Sequence, residues 1–194
     1  AVGVAVALAV VLVGAGRPAA RAISTPRARA WSARSVAIWV SALASGGAAG
    51  TLYAVKPGVK GDITLKEGAN SNDGVAWAAS KAMPSASSPI IYEGYVYLFD
   101  RQGGTVSCYN AKTGKAEYTK ERLQNAQAFW SSPFAYGGKV FCMGSAGVTH
   151  VIKAGPSFEA IGKNSFGKDV YWSTPAIASG GIFLRGVDAL YCIR

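Results

Sequence analysis

The sequence has few of the residues on which most catalytic and metal sites depend. Among its 194 residues it contains one histidine, three cysteines and 10 acidic residues. A catalytic triad or a histidine-rich metal site needs partners for its histidine, and His150 stands alone. Walker-type loops, HExxH motifs and nucleophile elbows are also absent. We therefore expect His150 to be an ordinary strand residue, either facing solvent or hydrogen-bonded.

The cysteines are widely separated and lack the CxxC spacing of metal-binding and redox motifs. Cys108, Cys142 and Cys192 each lie near the end of an apolar run that reads as a strand. We interpret all three as buried thiols that pack as small hydrophobic side chains. One disulfide in an oxidising compartment is the alternative.

Acidic residues are missing altogether from the start of the chain. Residues 1–49 hold five arginines and no acid, whereas residues 50–194 hold 15 basic and 10 acidic residues, for a net charge of +10. A basic balance is typical of proteins that bind nucleic acids or anionic membranes. Residues 50–194 show no stripe of basic residues with interleaved aromatics, so we expect no nucleic-acid partner.

What the chain does contain is a repeat. The run Ser-Ser-Pro, or Ser-Thr-Pro, followed by an apolar strand and a glycine turn, occurs at residues 87–97, 131–141 and 173–183. The shared markers are Pro89, Pro133 and Pro175, with Gly94, Gly138 and Gly180. Both sets step by 44 and then 42 residues.

A period of about 40 to 45 residues, built from short apolar runs and glycine turns, is typical of β-propeller blades. We predict an all-β chain with about three blades of four antiparallel strands, the last of which lacks its outer strand. The predicted blades are about 50–80, 87–123, 131–166 and 173–194. The polar, glycine-rich residues 59–74 are predicted to form an insertion or loop, within which 63–65 is a candidate short strand. A closed propeller needs about 300 residues or more, so we expect a fragment or a processed chain.

The segment before residue 50 does not match the repeat. Residues 1–16 are apolar or small, which suits a secretory signal or a membrane anchor, so membrane association through this segment is one expectation. Alternation of Val2, Val4 and Val6 with smaller residues suits a buried strand equally well. Residues 17–49 read as a degenerate blade, a linker or sequence foreign to the domain.

One stretch resembles a known family. The run 110–115, which includes Thr113 and Gly114 and is followed by Tyr118, resembles the tryptophan-docking motif of pyrroloquinoline-quinone-like β-propeller repeats. Cys108, Asn110 and Tyr118 stand where that motif usually has Ala, Asp and Trp. The family includes the lipoprotein of the bacterial outer-membrane barrel-assembly machinery. The resemblance implies a quinoprotein-like propeller in which the aromatic packs between neighbouring blades.

The resemblance implies two functions. The first is a non-enzymatic binding or scaffold module of an exported bacterial protein, in the periplasm, cell envelope or outside the cell, that engages a protein or peptide without a cofactor. The alternative is a dehydrogenase using pyrroloquinoline quinone with calcium. Family dehydrogenases have an Asp base, Glu and Asn calcium ligands and often vicinal cysteines, none of which we can match here. We expect Asp100, Asp169 and Asp188, which fall at turns, to cap the backbone.

Two aromatic pairs are the candidate partner-binding residues. Phe129-Trp130 and Tyr171-Trp172 each stand directly before a Ser-Ser-Pro or Ser-Thr-Pro run. Aromatic side chains at this place are suited to bind an extended peptide or a sugar. The alternative interpretation is that each tryptophan packs between adjacent blades.

Overall fold

The computed structural model of the chain describes residues 37–40, 50–83 and 87–194, and the predicted segments 1–36 and 41–49 lie outside these residues. Within the described residues every regular element is a strand, and the strands form four antiparallel sheets. No helix in this part of the chain has the length and apolar character needed to span a membrane.

The first sheet has the order β1-β2-β3, formed by Ala37–Val40, Gly50–Val55 and Val75–Met83. Residues 59–74 form the predicted loop, and the candidate short strand at 63–65 within it does not form. Asn72 explains the loop: its Nδ2 donates to the carbonyl of Ile63 at 3.1 Å, and its Oδ1 accepts from the amides of Gly74 and Val75. A side-chain amide thus takes over bonds that a strand partner would make.

The other three sheets follow in sequence order. The second comprises β4 (Ile90–Tyr92), β5 (Tyr95–Phe99), β6 (Thr105–Asn110) and β7 (Ala116–Arg122). The third comprises β8 (Phe134–Tyr136), β9 (Lys139–Met143), β10 (Val148–Lys153) and β11 (Ala160–Ser165). The fourth comprises β12 (Ala176–Ala178), β13 (Gly181–Arg185) and β14 (Leu190–Ile193). The predicted class, an all-β partial propeller with a three-stranded last unit, is confirmed.

The repeated glycine sits in a two-residue hairpin turn between the first two strands of each of these sheets. Both turn residues have positive φ in every case: 49° and 83° at Glu93 and Gly94, 59° and 72° at Gly137 and Gly138, and 49° and 73° at Ser179 and Gly180. This geometry is that of a type I′ turn, whose twist matches that of the strands. The glycine period therefore marks one hairpin per blade.

Each Ser-Ser-Pro or Ser-Thr-Pro run is here called a heading. The first serine of each heading bonds the run to its own sheet. Its hydroxyl donates to a carbonyl at the end of the second strand, 12 residues on. The three bonds are Ser87 to Phe99 (2.5 Å), Ser131 to Met143 (2.6 Å) and Ser173 to Arg185 (3.1 Å). The proline of the heading then stands immediately before the inner strand, where it removes no ladder bond.

The second hydroxyl of the heading connects neighbouring sheets. The amide of Ser88 donates to Ser132 Oγ at 3.0 Å, and the amide of Ser132 donates to Thr174 Oγ1 at 2.9 Å. These bonds span 44 and 42 residues, which are the two steps of the repeat. Each heading is therefore registered against the next one along the stack.

Buried side chains fill the space between successive sheets in three clusters. The largest, between the second and third sheets, includes Tyr97, Phe99, Val106, Cys108, Val140, Cys142 and Ile152. Leu52, Ala54 and Trp77 meet Val96, Leu98 and Tyr109 between the first two sheets, and Met143, Tyr171 and Leu184 lie between the last two. The sheets thus stack face to face, as blades do.

The motif at 110–115 forms the turn that receives an aromatic from the preceding blade. Asn110 Oδ1 accepts from the amides of Lys112 and Thr113, both at 3.1 Å, as an aspartate would. The aromatic is Trp77 of β3, whose Nε1 donates to the carbonyl of Ala111 at 3.0 Å. Its ring covers Gly114, where an added Cβ would lie 2.5 Å from the indole.

Tyr118 repeats this arrangement one blade further on, with a difference. Its ring lies 5.6 Å from that of Phe158 at the third sheet, but its hydroxyl is buried without a partner among the described residues. The amide of Gly155 instead donates to Tyr97 Oη at 2.8 Å. Tyr118 therefore packs where the docking tryptophan would pack, and Tyr97 makes the hydrogen bond to the neighbouring blade.

We expect Gly114→Ala to lower the free energy of unfolding well beyond the effect of φ strain. The new Cβ meets both a φ of 71° and the Trp77 ring. Gly138→Ala is the matched control, because its φ is 72° and nothing lies within 4 Å. Denaturant unfolding should show Gly114→Ala less stable than the control by about 1–3 kcal/mol. Equal losses would contradict the docking contact.

We expect Ser132→Ala to destabilise the stack by about 1 kcal/mol, because the amide of Ser88 loses its acceptor. Ser132→Thr keeps the hydroxyl and uses the residue found in the next heading, so it should unfold close to the parent. Thermal or urea unfolding of the two variants measures the difference. A Thr variant as unstable as the Ala variant would rule out the hydroxyl as the cause.

Candidate partner-binding edge

The two aromatic pairs occupy equivalent places in the third and fourth sheets. The carbonyl of Ala128, just before the first pair, accepts from the amide of Ser145 at 3.0 Å. The carbonyl of Val170, just before the second pair, accepts from the amide of Val187 at the same distance. Donor and acceptor each lie 42 residues beyond their counterparts in the first bond. The pairs therefore lie on the same face of the stack, in neighbouring blades.

The first member of each pair is a core residue. Phe129 and Tyr171 are both fully buried. Phe129 packs edge-on against Phe99 at 5.3 Å, and Tyr171 packs against Tyr191 and Phe166. Both were candidate partner-binding residues on sequence grounds, but their rings offer no surface to a partner because the neighbouring sheets cover them.

The second member of each pair faces solvent. Trp130 is 41% exposed and Trp172 is 61% exposed. The interpretation that each tryptophan packs between blades is therefore wrong. Phe129 and Tyr171 are the residues that pack there. Trp130 and Trp172, with the side chains immediately beside them, are hereafter called the tryptophan edge.

A cation from the preceding blade covers part of Trp130. Arg101 belongs to the turn between β5 and β6, and its guanidinium carbon lies 4.5 Å from the centre of the Trp130 ring. Asp100 Oδ1 accepts from the amide of Gln102 at 3.1 Å, which braces the turn and confirms the predicted capping role of Asp100. The guanidinium is thus held over the indole face, a favourable cation–π geometry.

An open cleft of about 300 Å³ lies at Trp172. Its lining consists of Val170, Trp172, Ser173, Arg185, Gly186 and Val187. Val170 and Val187 are themselves 42% and 61% exposed, so the cleft offers apolar surface around the indole. Arg185 lines the same cleft as the exposed Trp172.

Asp169 holds two of the lining residues, Val170 and Val187, by their backbone amides. Its carboxylate accepts from the amides of Val170, Val187 and Asp188 and from Tyr191 Oη. Burial disfavours the charged form, but these donors outweigh burial and lower the pKa of Asp169. The predicted capping role is confirmed for Asp169, since its carboxylate is already bonded to backbone amides and to Tyr191.

His150 lies behind the edge and differs from expectation. It is 4% exposed, packs edge-on against Phe129 at 5.7 Å, and its Nε2 makes no hydrogen bond to the described residues. The prediction of a solvent-facing or hydrogen-bonded residue is therefore wrong, since Phe129 and the facing sheets cover the ring. Burial, with the nearby charge of Lys163, lowers the pKa of His150 from its ordinary 6.5.

The single histidine makes its effect on stability measurable. Because folding lowers the pKa of His150, the unfolded state binds a proton more readily than the folded state does. The free energy of unfolding is therefore unaffected by this group above pH 6.5 and decreases as the pH falls below 6.5. We expect His150→Leu to flatten the pH dependence of unfolding below about pH 6.5. The imidazole resonances of the parent should titrate below 6.5 when folded. Titration at 6.5 or above would contradict this.

The cysteines of the chain differ in burial. Cys108 and Cys142 are buried in facing sheets and Cys192 is exposed, and none of the three is paired. The prediction of a buried thiol is wrong for Cys192. Burial raises the pKa of Cys108 to about 12. In residues 50–83 and 87–194, no three His, Cys, Asp or Glu side chains group closely enough to hold a metal.

These features define a propeller-type repeat protein with an exposed aromatic edge. No protein-family model and no curated protein matches the sequence. The chain is similar to the solved structure of BamB from Moraxella catarrhalis, at 12% identity and a TM-score of 0.39, with 74% of this chain and 52% of that chain covered. It is also similar to a quinohemoprotein alcohol dehydrogenase from Pseudomonas putida, at 13% identity and 0.46, with 71% and 26% covered.

The chain thus spans about half the length of the BamB chain and about a quarter of the dehydrogenase. The fold assignment rests on the four stacked sheets and on the repeated contacts between them. Folds of this kind carry unrelated functions, so function is argued from the site.

Proposed function

We propose that this chain is a non-enzymatic propeller-type binding module that engages an extended peptide segment of a protein partner along the tryptophan edge. The single observation that carries the proposal is the solvent exposure of Trp130 and Trp172 at equivalent places in adjacent blades. Following the resemblance of the repeats, the module belongs to an exported bacterial protein in the periplasm or cell envelope.

The edge has the properties of a preorganised anchor site. Tryptophan is enriched among residues that dominate binding energy, because one side chain buries a large rigid surface. The backbone of each tryptophan is fixed on one side by a buried neighbour, Phe129 or Tyr171, and on the other by a serine bonded within its sheet. Little conformational freedom remains to be lost on binding.

An extended peptide suits anchors that recur in successive blades. The two tryptophans come from successive blades whose headings are joined by the bond between Ser132 and Thr174, so they follow one line across the stack. A chain lying along that line contacts both rings and the cleft beside Trp172. Two anchors in register give selectivity for a segment with two apolar side chains.

Panning a phage-displayed library of random dodecapeptides against the full chain tests this proposal. Peptides that are enriched should bind Trp130→Ala and Trp172→Ala at least about tenfold more weakly, since truncating an anchor tryptophan costs about 2 kcal/mol. Tyr136→Ala is the matched control, because Tyr136 is 77% exposed on the hairpin between β8 and β9. Peptide affinities from fluorescence anisotropy provide the comparison.

Enriched peptides that bind both tryptophan variants as tightly as the parent would refute the proposal, as would the absence of any enrichment. Titration with pyrroloquinoline quinone and calcium tests the alternative dehydrogenase. A saturable change in quinone absorbance would favour that alternative over a binding module.

A further inference from the structure

Among the described residues, Arg101 is the one cation that stacks over an exposed aromatic ring. It reaches Trp130 from the β5–β6 turn of the preceding sheet, while Trp130 precedes the heading of the next sheet. The two residues are 29 positions apart in sequence and meet only because the sheets stack. The guanidinium is therefore a built part of the tryptophan edge.

The guanidinium of Arg101 pairs with no carboxylate of the described residues, so its N–H donors are not used by an ion pair there. In residues 50–83 and 87–194 the single ion pair joins Lys153 Nζ to Glu159 Oε2 at 3.2 Å, away from Arg101. The adjacent Asp100 directs its Oδ1 to the amide of Gln102. Arginine carries five N–H donors, and stacking on an indole leaves its in-plane edge open.

A second arginine lies at the cleft. Arg185 lines the cleft together with Trp172, and its own carbonyl accepts from the hydroxyl of Ser173 at 3.1 Å. The carboxylate of Asp169 is already satisfied by backbone amides, two of them from Val170 and Val187 of the lining, and by Tyr191. The tryptophan edge therefore carries two arginines, one stacked on Trp130 and one in the cleft at Trp172, together with apolar surface.

We infer that the peptide bound at the tryptophan edge is acidic, with at least one aspartate or glutamate that pairs with Arg101 next to an apolar residue that packs on Trp130. This inference rests on the proposed binding function and specifies its partner. A carboxylate accepts two parallel N–H bonds from a guanidinium, a geometry that lysine cannot reproduce. Stacking on Trp130 reduces the side-chain freedom that Arg101 loses when the pair forms.

The dodecapeptides enriched on the parent chain provide the probe. We expect Asp or Glu beside an aromatic or aliphatic residue in most of them. For each, a synthetic peptide and its Glu→Gln or Asp→Asn counterpart are compared by anisotropy at low and high salt. The acidic peptide should bind about tenfold more tightly than its amide counterpart, because a charge-assisted pair is lost in the latter.

Two variants separate the geometry of Arg101 from its charge. Arg101→Gln should remove the preference for the acidic peptide over the amide peptide, and Arg101→Lys should restore only part of it, since the charge returns without the planar pair. Lys139→Gln is the control, because Lys139 is an exposed lysine on the hairpin that carries Tyr136. It removes one positive charge away from the edge and should leave the preference unchanged.

Three results would overturn the inference. The first is enrichment of peptides that depend on Trp130 but lack acidic residues; the second is unchanged preference in Arg101→Gln. Both would leave the tryptophan edge as a binding site for neutral peptides. The third is the absence of peptides that depend on the tryptophans, and that result would remove the proposed binding function together with the inference.

Discussion

Hydrogen bonds from the amide of one heading to the hydroxyl of the next hold the stack of blades in register. The bonds from Ser88 to Ser132 and from Ser132 to Thr174 each cross one full repeat. Before it can act between blades, each heading is fastened within its own blade by the neighbouring serine, as in the bond from Ser131 to the carbonyl of Met143. The bonds from the hydroxyls of Ser87 and Ser131 are buried, and they satisfy polar groups that would be costly to leave unpaired in a protein interior. Packing of the sheet faces and placement of the exposed edge depend on this registration.

The tryptophan edge is a consequence of how each chain segment enters its blade. Residues immediately before a heading alternate between the two sides of the segment, so one aromatic ring enters the core and the next points outward. Phe129 and Tyr171 fill the space between sheets, and in doing so they hold Trp130 and Trp172 rigidly at the surface. Core packing and the candidate site therefore share the same four residues, with opposite roles for the two members of each pair.

Much of this architecture could be predicted from local patterns, and the errors follow from contacts between distant residues. The type I′ turns need glycine or a residue tolerant of positive φ, so their positions are visible in the sequence. The docking of Trp77 onto Gly114 depends on which blade lies next to which, and the sequence around Trp77 does not show this. His150 is covered by Phe129, which precedes β8 and is distant from β10 in sequence, and nothing in the strand of His150 reveals that cover. The loop at 59–74 was visible in its polar, glycine-rich composition, but the side-chain bonds of Asn72 that hold it were not.

The sequence by itself determined the all-β class, the order of the blades in residues 87–194, and the repeat of one hairpin and one heading per blade. These features depend on neighbours within a few positions: alternating apolar residues, turn glycines and prolines before strands. The tertiary structure alone decided which ring of each aromatic pair is exposed and brought Arg101 over Trp130. Burial and ion placement depend on the facing sheet, whose residues lie roughly one repeat away in sequence and meet only when the blades stack.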